Sequence, residues 1–198
     1  MTAIIDYGVG NLFSLKSSFG AVGAEAEVTG DPERVAAADR IILPGVGAFG
    51  DAARKLREMG LDKVLTEEAA KGKPLLGICL GMQLLFEKSH EYGEHTGLGL
   101  IPGKVVPIPE GVKIPHIGWN SLSFNKSSPL FKYIKDGDHA YFVHSYYAAC
   151  PDGFVSAYTE YGMRLTASVE RENVFGCQFH PEKSGEVGLN ILRAFCEV

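Results

Sequence analysis

The stretch that most limits how this chain can fold is Gly77-Ile78-Cys79-Leu80-Gly81-Met82-Gln83. Ahead of it, Pro74-Leu75-Leu76 is short and apolar and reads as the end of a buried strand. After it, Leu80, Leu84, Leu85 and Phe86 recur at helical spacing. Cys79 therefore falls where a strand turns sharply into a helix. Glycines at 77 and 81 let the backbone bend tightly and let other groups come close. A reactive side chain at such a turn is a nucleophile elbow, here with cysteine in place of serine. A thiol at a helix N-terminus feels the positive end of the helix dipole, which favours the thiolate. The alternative, from these seven residues alone, is a buried structural cysteine.

The residues before the elbow alternate between strand and helix patterns. Ala3-Ile4-Ile5 reads as a first buried strand. Asp6 to Asn11 is a Gly-rich turn, with Asn11 placed to cap a helix from Leu12 to Phe19. Gly8 and Gly10 lack the third glycine of a dinucleotide fingerprint, and no P-loop lysine follows. A short strand over Glu25 to Val28 and a brief helix opened by Asp31-Pro32-Glu33 come next. Arg40 to Leu43 is another strand, running into Pro44-Gly45-Val46-Gly47-Ala48-Phe49. Glycines at a strand's carboxyl end leave backbone N–H groups uncovered, and such groups can bind a developing oxyanion; an ordinary Gly-rich loop is the plainer alternative. Asp51 to Met59 and Leu61 to Lys71 are helical, with Gly60 between them.

This alternation predicts an α/β fold: an open, mostly parallel sheet with helices on both faces. Ligands bind such sheets at the carboxyl ends of the strands, where Cys79 and the Pro44–Gly47 loop would both lie. Lys88 to Thr96 is polar and reads as a loop. Beyond Gly97 the texture changes to short strands and turns, an antiparallel β extension in the second half. Candidates are Lys104 to Val106, Ala140 to His144, Val155 to Tyr158, Leu165 to Val169 and Val174 to Phe179. The only tryptophan, Trp119, sits in Pro115-His116-Ile117-Gly118-Trp119-Asn120, and a place in the core is the usual fate of such a residue. Leu189 to Phe195 returns to helical spacing.

Composition narrows the function classes. At 198 residues the chain fits a single domain with a sizeable core. A net charge of −5 gives no basic footprint for nucleic acid. The four cysteines form no CxxC pair, and neither they nor the six histidines show metal-ligand spacing, so no metal or other cofactor is expected. Met1 to Asp6 runs straight into strand-like residues, without the charged start and long apolar stretch of a secretory leader. No apolar run is long enough to span a membrane. A cytoplasmic setting with reduced thiols is expected.

The strand ending at Phe179 delivers His180-Pro181-Glu182. Proline biases the residue before it towards extended geometry, and residues two apart in an extended chain point the same way. His180 and Glu182 are thus expected to project together, with the carboxylate orienting the imidazole. Cys79, His180 and Glu182 then supply nucleophile, base and orienting acid.

The elbow Gly77 to Gln83 together with His180-Pro181-Glu182 resembles the triad (class I) glutamine amidotransferase family. Four further stretches narrow the likeness: Pro44 to Phe49, Pro115 to Asn120, Tyr141 to Tyr147, and Lys183-Ser184 after the His-Pro-Glu. With these the chain resembles, nearly end to end, the glutaminase-subunit family of imidazole glycerol phosphate synthase, in histidine biosynthesis. The resemblance implies a flavodoxin-like sheet and hydrolysis of L-glutamine to L-glutamate and ammonia at Cys79, with His180 and Glu182. It implies an oxyanion site made by the N–H of Leu80 with that of Val46 or Gly47, and a glutamine pocket lined by Gly47, Gln83, His144, Ser145 and Tyr146. It also implies a (β/α)8-barrel cyclase partner that receives the ammonia through a tunnel and makes imidazole glycerol phosphate and AICAR. Asn11, Trp119, Tyr141 and Lys183 are then expected at the interface and tunnel. The segment from Glu87 to Thr96 carries no motif of the family, so no role is expected for it.

Overall fold

The computed structural model describes all 198 residues. The first half alternates as its sequence predicts: β1 (Thr2–Ile5), α1 (Leu12–Ala21), β2 (Ala26–Thr29), α2 (Pro32–Ala37), β3 (Arg40–Leu43), α3 (Phe49–Glu58), α4 (Leu61–Ala70) and β4 (Leu75–Ile78). A short α5 (Leu80–Leu84) follows, then β5 (Phe86–Ser89), β6 (His95–Thr96), β7 (Ile101–Pro107), β8 (His116–Ser121) and β9 (Ser123–Phe124). The chain ends with β10 (His139–His144), β11 (Tyr146–Ala149), β12 (Val155–Glu160), β13 (Arg164–Arg171), β14 (Val174–Cys177) and α6 (Gly185–Phe195).

Eight strands form the main sheet in the order β2-β1-β3-β4-β14-β13-β12-β9. The first five are mutually parallel, and β13, β12 and β9 extend the sheet antiparallel. The order of the parallel part is that of a flavodoxin-like sheet. Its strands are apolar throughout because both faces are covered. Ile4, Ile42, Leu76 and Ile78 pack with Leu15 and Phe19 of α1 and Ile191, Leu192 and Phe195 of α6. Their neighbours Ile5, Ile41, Leu43 and Leu75 face the other way, onto Phe49 and Leu56 of α3 and Leu61 and Leu65 of α4.

Two sequence expectations fail between residues 84 and 96. The apolar residues after Cys79 share helical spacing, but the helix stops at Leu84, and Phe86 opens β5. The polar segment read as a loop is the hairpin of β5 and β6, part of a second sheet ordered β11-β7-β5-β6. Leu84, Leu85 and Phe86 are all buried in one cluster, so helix and strand both satisfy their burial and periodicity does not separate them. The third sheet is the antiparallel ribbon β8–β10. His180 N–H donates to the Tyr141 carbonyl at 2.9 Å, which fastens this ribbon to the carboxyl end of the main sheet. No helix is long and apolar enough to cross a membrane.

Gly188 shows how closely the last helix is held. A Cβ there would lie 1.8 Å from the Pro181 carbonyl oxygen, whereas a Cβ on Gly20 of α1 meets nothing within 4 Å. Gly20→Ala is expected to raise the thermal midpoint, reflecting about 1 kcal/mol of helix propensity. Gly188→Ala should lower it despite the same propensity gain, since overpacking costs about 1–3 kcal/mol. Thermal unfolding of the two variants beside the parent chain checks both signs.

Candidate active site

β4 is held on both sides, by β3 and by β14, with Gly77 opposite Leu43 and Ile78 opposite Cys177. The ladder continues one step further: Cys79 N–H donates to the Cys177 carbonyl at 2.7 Å. There the chain breaks direction, with Cys79 at φ 54 and ψ −112. A non-glycine residue so placed carries strain of about 1–3 kcal/mol. Gly77 and Gly81 do not supply this bend, since neither has a positive φ. They supply close approach instead. A Cβ on Gly81 would fall 1.8 Å from the Leu43 carbonyl oxygen, and one on Gly77 would fall 2.6 Å from the Gly81 carbonyl oxygen. The first turn of α5 is thus pressed onto the ends of β3 and β4, and it presents Cys79 at the rim, 8% exposed.

His180 lies just beyond β14 and is extended, at φ −102 and ψ 99. Glu182 is not extended with it: Pro181–Lys183 form a 3-10 turn. The two side chains still meet, because the turn folds the carboxylate back under the ring and sets His180 Nδ1 2.8 Å from Glu182 Oε1. Proline starts such a turn readily, having no N–H to lose. The pair is nearly sealed, with His180 and Glu182 side chains 3% and 2% exposed. Burial alone would pull the imidazole's pKa down. The hydrogen bonds and charges of Cys79 and Glu182 outweigh it and hold the ring up to about 9. A ring protonated at neutral pH beside a thiol suits an imidazolium–thiolate pair.

One pocket opens onto Cys79 and His180. Its wall includes Cys79, His180 and Lys183, with Val46, Gly47, Leu80, Gln83, His144, Ser145 and Tyr146, all expected from sequence, and with Glu91, Pro115 and Val143, which were not. The Val46 and Gly47 N–H groups have no partner within the chain. Gly45 packs so closely that a Cβ on it would lie 2.9 Å from the Gly81 nitrogen, so the loop after β3 rests on the elbow. Two of the expected pocket residues are committed elsewhere by their side chains. Gln83 gives its amide protons to the Tyr146 carbonyl, at 3.1 Å, and to Gln178 Oε1, at 3.0 Å. His144 has both ring nitrogens engaged, by His116 and by the Tyr146 carbonyl.

Sequence reasoning missed two residues here. Gln178 is fully buried and points its Nε2 at Cys79 Sγ, 3.8 Å away. Its position two before His180 on an extended chain was the available signal. Glu91 lies in the segment for which no role was expected, yet its carboxylate reaches the pocket and accepts the Phe49 N–H at 2.6 Å. Nothing local marks it, because only the β5–β6 hairpin brings it across to the start of α3.

The residues expected at an interface divide. Trp119 is 56% exposed, so it is not a core residue. Its ring meets Tyr141 edge-on at 6.1 Å, and Lys183 Nζ lies 5.9 Å from the centre of the Tyr141 ring. These three form one cluster on the outer side of the β8–β10 ribbon. Asn11 makes no hydrogen bond to that cluster; its side chain caps α1 by accepting from Ser14 N–H at 3.4 Å.

Known proteins share both fold and sequence with this chain. The family described as glutamine amidotransferase class-I matches residues 3–197. A solved structure described as PurLQS from Thermotoga maritima superposes with a TM-score of 0.80 at 22% identity, covering 99% of this chain and 97% of that one. Another, a glutamine amidotransferase, gives 0.78 at 21% identity, covering 98% and 97%. Both speak for the fold. The imidazole glycerol phosphate synthase subunit HisH of Lactococcus lactis subsp. lactis is 52% identical over 98% of this chain and 96% of its own. The subunit of the same name from Aquifex aeolicus is 52% identical over 98% of this chain and 95% of its own. The strained cysteine elbow, the His-Glu pair and this end-to-end likeness place the chain in the class-I glutamine amidotransferase family, among the HisH subunits of imidazole glycerol phosphate synthase.

Proposed function

We propose that residues 1–198 act as one glutaminase unit, which hydrolyses L-glutamine and hands the ammonia to a (β/α)8-barrel cyclase. The reading rests above all on Cys79 and His180 meeting at one pocket, with Glu182 behind the ring, its Oε1 2.8 Å from His180 Nδ1. The Cys79 thiolate attacks the side-chain amide carbon. Its S–C bond forms as His180 gives its proton to the departing nitrogen, so ammonia leaves and a thioester remains. Water, deprotonated by His180, then breaks the S–C bond and releases glutamate. Glu182 keeps the ring in register through Nδ1. The N–H groups of Leu80 and of Val46 or Gly47 hold the oxyanion, each worth about 3–4 kcal/mol to the transition state. Gly47, Ser145 and Tyr146 form the glutamine wall, with Gln83 and His144 holding it from behind. Glu91, a carboxylate on the pocket wall, suits the α-ammonium group of the substrate.

Ammonia released to bulk water would be protonated and lost to synthesis, so the pocket is best covered during turnover. The exposed cluster of Trp119, Tyr141 and Lys183 beside the pocket offers the surface on which the barrel closes, with Asn11 placed further along the same rim. A buried aromatic anchor of this kind is worth about 2 kcal/mol or more to an interface.

Glutamate release should be strongly stimulated by a barrel cyclase loaded with its nucleotide ligand, and abolished by Cys79→Ala. High activity of the chain alone would indicate a stand-alone glutaminase instead. Trp119→Ala should weaken the heterodimer by at least tenfold in Kd while the thermal midpoint moves little, because the ring is half exposed; a large loss of stability with unchanged Kd would return it to a structural role. The pKa of His180, raised from 6.5 to about 9, fixes the sign of the alkaline response. The ring is protonated below about 9, and above that the acid needed by the leaving nitrogen is lost. Glutamate release is expected to fall as pH rises through about 9, while alkylation of Cys79 by iodoacetamide, which needs only a thiolate, does not fall. Glu182→Gln should shift that limb to lower pH and reduce kcat roughly 10²- to 10⁴-fold.

A further inference from the structure

Behind the pocket runs a line of polar side chains, of which only His144 has a part in the account above. Asn120 Nδ2 lies 2.8 Å from the Glu160 carbonyl and 3.4 Å from His116 Nε2. His116 Nδ1 is 3.0 Å from His144 Nε2, and His144 Nδ1 is 2.8 Å from the Tyr146 carbonyl. The protons in this line have only one arrangement. A carbonyl accepts, so His144 Nδ1 carries hydrogen. His144 is neutral, because burial pushes its pKa down to about 4. Its Nε2 is then an acceptor, and His116 Nδ1 must donate to it. Burial lowers the pKa of His116 as well, so its Nε2 is the acceptor for the Asn120 amide. Every donor faces an acceptor.

The line is also rigid. His116 is opposite His144 in the β8–β10 ladder. Its ring is stacked between Tyr161, with centroids 4.0 Å apart, and Phe142, at 5.0 Å. At the far end, the Tyr146 carbonyl takes a second hydrogen bond from Gln83, whose other amide proton goes to Gln178 beside Cys79. That carbonyl is the joint between the line and the elbow, and it sits where the chain leaves one sheet at His144 and enters another at Tyr146.

We propose that Asn120 and His116 are positioning residues for the glutaminase reaction, acting through His144 to fix the Tyr146 carbonyl and so the wall that receives glutamine. Neither touches the pocket: Asn120 and His116 are absent from its lining, while His144 and Tyr146 are in it. The inference rests on the glutaminase reading of that pocket. Removing the His116 donor leaves His144 Nε2 without a partner in a buried place, and the wall loosens for ground state and transition state alike. Such a change raises KM and leaves kcat nearly as it was.

The test uses the chain in complex with its barrel partner, with three single variants and one double. His116→Phe keeps the stacked ring and removes the donor. His116→Asn loses the ring but retains an N–H at the place of Nδ1. Asn120→Ala removes the first donor. His116→Phe should raise KM for glutamine about tenfold, the size of one buried hydrogen bond, with kcat within about twofold. His116→Asn keeps the donor to His144 but loses the acceptor for Asn120, so its KM should match that of Asn120→Ala and stay below that of His116→Phe, although it unstacks the ring and lowers the thermal midpoint. Asn120→Ala should raise KM, and adding it to His116→Phe should bring no further rise, since both break one line. Protection of Cys79 from iodoacetamide by glutamine gives the same ranking as a binding constant, without turnover. Should His116→Phe fail to fold, His116→Asn and Asn120→Ala still decide, since they should share one KM while differing in thermal midpoint. If KM follows thermal stability across the set, or stays unchanged, the residues are structural and the proposal falls. A parent complex that releases no glutamate would overturn the glutaminase reading itself.

Discussion

The site depends on how closely two strand ends and one helical turn approach each other. The end of β3, the end of β4 and the first turn of α5 share a space that admits no Cβ at Gly77 or Gly81. With the flanks so pinned, and with Cys79 N–H fixed to the Cys177 carbonyl, the change of direction has to be taken up by Cys79. That is why the strained φ of 54 falls on the cysteine and not on a glycine. Strain of this kind persists only where the surroundings over-determine it, and here the parallel ladders on both sides of β4 do so. The cysteine is thereby held at the rim of the sheet with little freedom to retreat.

The same crowding explains the polar inventory. A buried polar group without a partner costs about 1–3 kcal/mol, so groups drawn into this space must satisfy one another. Gln83, Gln178, His116, His144 and Asn120 do so almost completely. Among the groups next to the thiol, what remains free for a ligand includes the imidazole beside it and the Val46 and Gly47 N–H groups of the loop after β3. Glu182 follows the same logic in part, with Oε1 on His180 and Oε2 buried without a partner in the chain. A carboxylate spent on a single hydrogen bond is held for the ring it orients.

Much of this could be read from residue order. Apolar runs of four residues between helical segments define a two-faced sheet, and the alternation of Ile4 and Ile5, or Ile41 and Ile42, between its two cores follows from period two. The elbow and the His-Pro-Glu stand out because each carries a local backbone signature. The misreadings have one common cause. Phe86 in a strand, Glu91 at the pocket and Gln178 beside the thiol are all decided by which distant segment packs against them. Local periodicity contains no term for that. The meeting of His180 with Glu182 was expected for the wrong local reason, since a 3-10 turn and an extended pair both bring positions two apart together once proline fixes the first step.

Period two has a final consequence in β8. Ile117 and Trp119 point outward and are more than half exposed, while His116 and Asn120 point inward and hold the pocket wall. One strand therefore serves two neighbours through alternate residues, and neither face can shift without the other. Trp119 and Asn120 are neighbours on one backbone, and Asn120 is the first donor of the line ending at Tyr146. The exposed Trp119 is then one pleat of a strand and three hydrogen bonds from the Tyr146 carbonyl at the pocket wall.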